Sequence, residues 1–129
     1  MTEETYRILL AEDDRVLRRA CEASLRGKGF RVTIAVDGQA ALDELEAWSD
    51  PLPDLILLDL LMPRLTGIEV LRALRANPRT KAVPVLILSN SSREQDHAQV
   101  EQFEIAGYFV KSNLSLQALG EHVARLLGD

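Results

Sequence analysis

Two rhythms of apolar and polar residues take turns along this chain. Short apolar runs occur at Ile8 to Ala11, Leu55 to Leu58, Val85 to Leu88 and Tyr108 to Val110. Each is too short for a buried helix and is bounded by polar or turn residues, so each predicts a strand. Val32-Thr33-Ile34 is mixed in polarity and suits a half-exposed edge strand. Between the runs, apolar residues recur at helical spacing. Leu17, Ala20, Cys21, Ser24 and Leu25 predict a helix over residues 15–27, ended by Gly27 and Gly29. A second stripe, Ala41, Leu42, Leu45 and Trp48, opens at Asp37-Gly38 and closes before Pro51 and Pro53. Ile68, Leu71 and Leu74 form a third, capped by Thr66 and stopped by Asn77-Pro78. Leu116, Leu119, Val123, Leu126 and Leu127 form the last.

The segment 92–103 is richer in Gln, Glu and Asp and has few apolar anchors. Ser91 with Glu94, or Ser92 with Gln95, offers a capping box at its start. A loosely anchored helix is a candidate moving part.

Strand then helix, five times over, predicts an α/β fold: a parallel sheet covered on both faces and joined by right-handed crossovers. The central runs lack alternation, as strands buried on both sides do. In such a doubly wound sheet the site lies at the carboxyl ends of the strands, near the switch point in strand order.

Bulk composition narrows the field. The 129 residues leave room for one domain, taken as 1–129. A formal net charge of -5 repels nucleic acid phosphates, and no local basic patch stands out, so direct nucleic acid binding is not expected. The acidic start from Met1 to Thr5 is unlike a secretory signal, and no apolar run approaches the length of a membrane span. A lone Cys21 rules out an internal disulfide and a cysteine-based zinc site. The expectation is a cytoplasmic protein.

The residues just past the apolar runs carry the chemistry. They are Glu12-Asp13-Asp14, Asp59, Ser89 and Lys111, and the fold would gather all of them on one edge. Three crowded carboxylates repel one another, and a divalent cation relieves the repulsion. Magnesium takes hard oxygen ligands and keeps several waters, which suits two or three carboxylates. Asp14 reads better as the residue that begins a helix; Glu12 and Asp13 read better as ligands. Asp59 sits within the apolar stretch Leu55 to Met62, so its carboxylate needs a partner, and Lys111 can supply one. A carboxylate beside a metal and an ammonium group is also a feasible phosphoryl acceptor. Taken singly, Asp59 reads as a loop residue or half of an ion pair, Ser89 as a turn or cap and Lys111 as a solvated side chain. Their joint occurrence at successive strand ends changes that balance.

The stretches Ile8 to Asp14, Pro53 to Pro63, Pro84 to Ser89 and Gly107 to Lys111 resemble the receiver domains of two-component response regulators, in order and over nearly the whole chain. The resemblance implies a flavodoxin-like (βα)5 fold, a five-stranded parallel sheet of order 2-1-3-4-5. It further implies that Asp59 accepts a phosphoryl group from a phosphohistidine of a histidine kinase or histidine phosphotransfer protein. Glu12, Asp13, Asp59 and the backbone carbonyl of Leu61 would hold Mg2+, Ser89 and Lys111 would contact the phosphoryl group, and Ser89 and Tyr108 would switch. The surface of the fourth helix, fifth strand and fifth helix would then bind a downstream protein target. The domain would catalyse its own phosphorylation and dephosphorylation only, and so would not be an enzyme in the ordinary sense. A stand-alone, chemotaxis-regulator-like domain is expected, since no output domain follows Asp129, as a monomer or weak homodimer.

Ser112 follows Lys111 where the family usually has Pro, and Asn90 follows Ser89 where a small residue is frequent. Leu61, two residues past the acceptor, is apolar and would slow the approach of water, which predicts a long-lived acyl phosphate. Three other readings compete. A flavin-phosphate module would be repelled by Glu12-Asp13-Asp14. An aspartyl phosphatase would want a second Asp where Leu61 stands. A receiver-like module that acts without phosphorylation is the nearest rival.

Overall fold

A computed structural model describes residues 5–49, 51–62, 64–90, 94–113 and 115–128, with the side chains of 94–97 and 113 excepted. Five strands alternate with five helices: β1 (Arg7–Ala11), α1 (Arg15–Gly27), β2 (Arg31–Ala35), α2 (Gly38–Ala47), β3 (Leu55–Asp59), α3 (Gly67–Ala76), β4 (Val85–Ser89), α4 (Glu94–Glu101), β5 (Gly107–Val110) and α5 (Leu116–Leu126). All strand pairs are parallel, in the order β2-β1-β3-β4-β5. The alternation predicted the parallel sheet, and the strand order is the flavodoxin-like one that the resemblance implied.

Three of the four apolar runs became the central strands β1, β3 and β4, since a strand covered on both faces is apolar along nearly all its length. The fourth became β5 at the edge. Every residue of β3 and β4 is buried, whereas β2 and β5, at the two edges, are only partly so. Alternation along each strand divides the core in two. Ile8, Leu10, Leu55, Leu57, Leu86 and Leu88 face α1 and α5, while Leu9, Ala11, Ile56, Leu58, Val85 and Ile87 face α2, α3 and α4.

Side-chain caps fix where the helices begin. Asp37 accepts from Ala40 N at 2.7 Å to open α2, Thr66 and Glu69 form a reciprocal capping box on α3, and Ser115 opens α5. Trp48 is the C-terminal cap of α2 and, half-buried, packs against the core with the rest of the stripe. Leu126, expected to face inward, is 40% exposed, and Leu119 and Val123 carry the burial of α5 instead.

Two arginines tie the lower ends of the second to fourth helices together. Arg79 donates to Leu45 O and Trp48 O, satisfying carbonyls at the end of α2. Arg75 donates to Phe103 O at 2.8 Å, to Lys81 O at 3.1 Å and to Val83 O at 2.9 Å, so it joins the end of α3 to the loops before β4 and β5. Of the described side chains of α4, only Val100 is buried. The two capping boxes considered for its start, at Ser91 and Ser92, lie outside the described residues.

Candidate functional site

At the carboxyl edge of the sheet, neighbouring strands end on polar residues. Asp59 and Ser89 are the last residues of β3 and β4, one position further inside the ladder than the apolar runs implied. Glu12 and Lys111 are the first residues beyond β1 and β5. The register sets Asp59 opposite Leu88, and Ser89 opposite Val110. The alternation then sorts them. Glu12, Asp59 and Lys111 continue the parity of Leu10, Leu57 and Phe109, whose side chains pack toward α1 and α5. Ser89 and Tyr108 follow the opposite parity, and Tyr108 packs against the α2–α4 side of the core. Ile87, two residues before Ser89, lies directly across from Tyr108.

The geometry draws three of these groups together. Lys111 Nζ lies 2.7 Å from Glu12 Oε1 and 3.0 Å from Asp59 Oδ2. Both carboxylates are buried, Glu12 completely and Asp59 to within 2%. Asp59 Oδ1 also accepts from Leu61 N at 3.2 Å, and Glu12 Oε2 from Asp14 N at 3.0 Å. Asp13 is exposed at the rim. Asp14 points elsewhere: its Oδ1 accepts from Val16 N and Leu17 N and begins α1.

Two negative charges and one positive charge therefore share a nearly dry space, and the imbalance shows in the acidities. Burial, then the charge on Glu12, push the Asp59 carboxyl up to about 7, against the pull of Lys111 and Leu61 N. Burial opposes the charge on Lys111, but hydrogen bonds and attraction to Glu12 and Asp59 outweigh it and raise its pKa. Beneath them the buried Cys21 thiol is pushed up to about 11, by burial first and by Glu12 second, which leaves it unreactive.

Glu12, Asp13 and Asp59 each offer one oxygen, all within 4.8 Å of one another. Three hard oxygen donors carrying excess negative charge fit a divalent cation. This acidic cluster can hold one, and it is the kind of pocket that accepts phosphoryl groups. Close packing supports its floor: a Cβ on Gly67 would meet Asp59 O and come within 2.6 Å of Leu60 Cα. The first residue of α3 therefore has to be glycine for β3 to end where it does.

Residues 8–124 match the family model for the response regulator receiver domain. The chain belongs to that family. Receiver domains are signalling modules that partner histidine kinases. This receiver domain is 34% identical over 121 residues to the chemotaxis protein CheY of Pseudomonas aeruginosa, a match covering 93% of this chain and 94% of that one. It is 43% identical over 90 residues to the transcriptional activator protein PfeR of the same organism, covering 70% of this chain and 28% of PfeR. The receiver domain spans about a third of the length of several curated relatives it matches. Among solved structures, the Mn(2+)-bound form of response regulator Rcp1 superposes with a TM-score of 0.85 at 30% identity, covering 95% of each chain.

Sequence reasoning placed Asp59, Glu12, Asp13 and Lys111 correctly at one edge, but it missed two contacts. It paired Lys111 with Asp59 alone, whereas the ammonium group also bridges to Glu12. It also passed over Arg18, whose Nη1 donates to Glu12 O at 3.1 Å and to Asp13 O at 3.2 Å. An arginine one turn into the helix that follows an acidic loop was the available signal.

Proposed function

We propose that Asp59 is the phosphoacceptor of a two-component phosphorelay, taking its phosphoryl group from the phosphohistidine of a histidine kinase or histidine phosphotransfer protein. The observation that carries this reading is the buried Asp59 carboxylate held 3.0 Å from Lys111 and grouped with Glu12 and Asp13. In the transfer, Asp59 Oδ attacks phosphorus as the P–N bond to the donor imidazole breaks. The imidazole leaves with the bonding pair and takes up a proton, and Asp59 becomes an acyl phosphate. Glu12, Asp13, Asp59 and the Leu61 carbonyl would hold Mg2+, which when bound offsets charge on the transferring oxygens. Lys111 supplies a second, fixed positive charge. The Leu61 N–H holds Asp59 Oδ1, which helps to aim the carboxylate.

After transfer, the Ser89 hydroxyl moves to the phosphoryl group and Tyr108 turns inward on the same side of the sheet. That shared side, with Tyr108 opposite Ile87 on the adjoining strand, supports a short relay to α4 and β5. The lightly anchored α4 then biases the α4-β5-α5 surface toward a downstream protein. We place this chemistry in the cytoplasm. The domain catalyses only its own phosphorylation and dephosphorylation.

Incubation with magnesium and acetyl phosphate should add one phosphoryl mass to the protein, and Asp59→Asn should abolish the gain. Retention of the gain in the variant would refute the assignment; an inert wild type would favour a domain that works without phosphorylation.

Leu61 is 66% exposed at the mouth of the site, where an apolar side chain gives attacking water no hydrogen-bond partner. Leu61→Asn should therefore speed phosphate loss several-fold, because one added hydrogen bond to the attacking water lowers the barrier by about 1 kcal/mol. Equal decay rates for the two purified acyl phosphates would end this idea.

A further inference from the structure

We propose that Arg18 is a positioning residue for the metal-binding loop, fixing the backbone so that Asp13 points into the cluster. This rests on the phosphoacceptor reading above. Glu12 is aimed by its own side chain, through Asp14 N and Lys111. Asp13 has no such packing because it is exposed, so its direction follows from its backbone. That backbone is held from below: Arg18 Nη1 spans the carbonyls of Glu12 and Asp13 at 3.1 and 3.2 Å, and Glu12 N donates to Ala35 O at 3.1 Å. One amino group of the guanidinium, shared between two successive carbonyls, ties two peptide planes together. The Cβ of Asp13 projects from between those planes. Asp14, the helix cap, completes the frame.

The same guanidinium places a positive charge near the site, and this effect has the opposite sign. Charge alone would repel a metal ion, so removing Arg18 would tighten metal binding. Loss of the grip would weaken it. Added salt screens the charge effect and leaves the grip untouched, so the grip dominates at high salt. Loss of an outer partner of a metal ligand costs roughly 10–100-fold in affinity. Arg18 holds backbone rather than the ligand atom, so a smaller loss, ~5–10-fold, is expected.

Mn2+ binding to the full chain, followed by the electron-spin signal of the free ion, tests this at low and high salt. Arg18→Met should weaken Mn2+ binding ~5–10-fold at high salt, with Arg18→Lys intermediate because its shorter side chain holds the donor nitrogen less close to the two carbonyls. The lysine variant also keeps the test open if the methionine variant does not fold. At high salt, binding by Arg18→Met as tight as wild type or tighter, or by Arg18→Lys equal to wild type, would overturn the proposal. A wild type that takes up no Mn2+ at millimolar concentration would instead defeat the functional reading beneath it.

Discussion

Replacing Lys111 with Met should destabilise the metal-free protein by roughly 3–5 kcal/mol at pH 8, the largest loss expected of any single change at the site. The ammonium group is the common partner of two buried carboxylates, at 2.7 Å from Glu12 and 3.0 Å from Asp59. Methionine keeps much of the stem's volume and leaves both carboxylates facing each other in a dry space. The direction with pH follows from the acidities. Lys111 has its pKa raised on folding, so its stabilisation is present across the whole range below the ordinary value for lysine. Asp59, already at about 7 with the lysine in place, would hold its proton to still higher pH without it. Protonation removes one of the two charges, so the loss should shrink as the pH falls from 8 to 5.5. Urea unfolding in the presence of a chelator at the two pH values checks this. A loss under 1 kcal/mol at pH 8, or one that does not change with pH, would show that the pair carries little of the stability. Magnesium should recover part of the deficit, since a cation bound to the folded state alone stabilises it by mass action.

The parts of this molecule that could be read from sequence are those where burial leaves no choice. β3 and β4 are enclosed on both faces, so a polar residue can appear only where each strand reaches the edge of its cover. Asp59 and Ser89 thus mark that edge. Helix starts were legible for a related reason: the unpaired N–H groups of a first turn need an acceptor, and Asp14, Asp37 and Thr66 supply one locally. Contacts that span the sheet were not legible. Three strand spacings, roughly 14 Å, separate β5 from β1, and the contact closes only because Lys111 and Glu12 are both long side chains. Nothing in either local pattern records that distance. Arg18 escaped for a different reason. It acts through backbone carbonyls, and a donor to carbonyls leaves no complementary side chain in the sequence to pair it with.

Asp59→Asn should have the opposite effect on stability to Lys111→Met, although both changes remove a partner from the same ion cluster. In the metal-free protein the wild-type site holds Glu12, Asp59 and Lys111, a net negative charge in a closed space. Asparagine leaves a balanced pair, Glu12 with Lys111. The sign can be checked from the carboxyl itself. Folding raises the pKa of Asp59 from 3.8 to about 7, so between those values the folded chain binds a proton that the unfolded chain does not. Wild-type stability must fall as pH rises through that window, and it levels off above the folded value. At ~1.4 kcal/mol per pH unit the accumulated cost is on the order of 2–4 kcal/mol, and asparagine escapes it. The variant should therefore match the wild type near pH 4 and exceed it in stability by about 2 kcal/mol or more at pH 8, in the absence of metal. Denaturation curves at several pH values with a chelator present test the claim. A constant difference across the range would mean that Asp59 does not retain its proton on folding. Millimolar magnesium should narrow the gap from the wild-type side only, because asparagine no longer offers the cluster its third anionic oxygen. A buried carboxylate that strains its own fold until it meets a cation favours the metal-bound state.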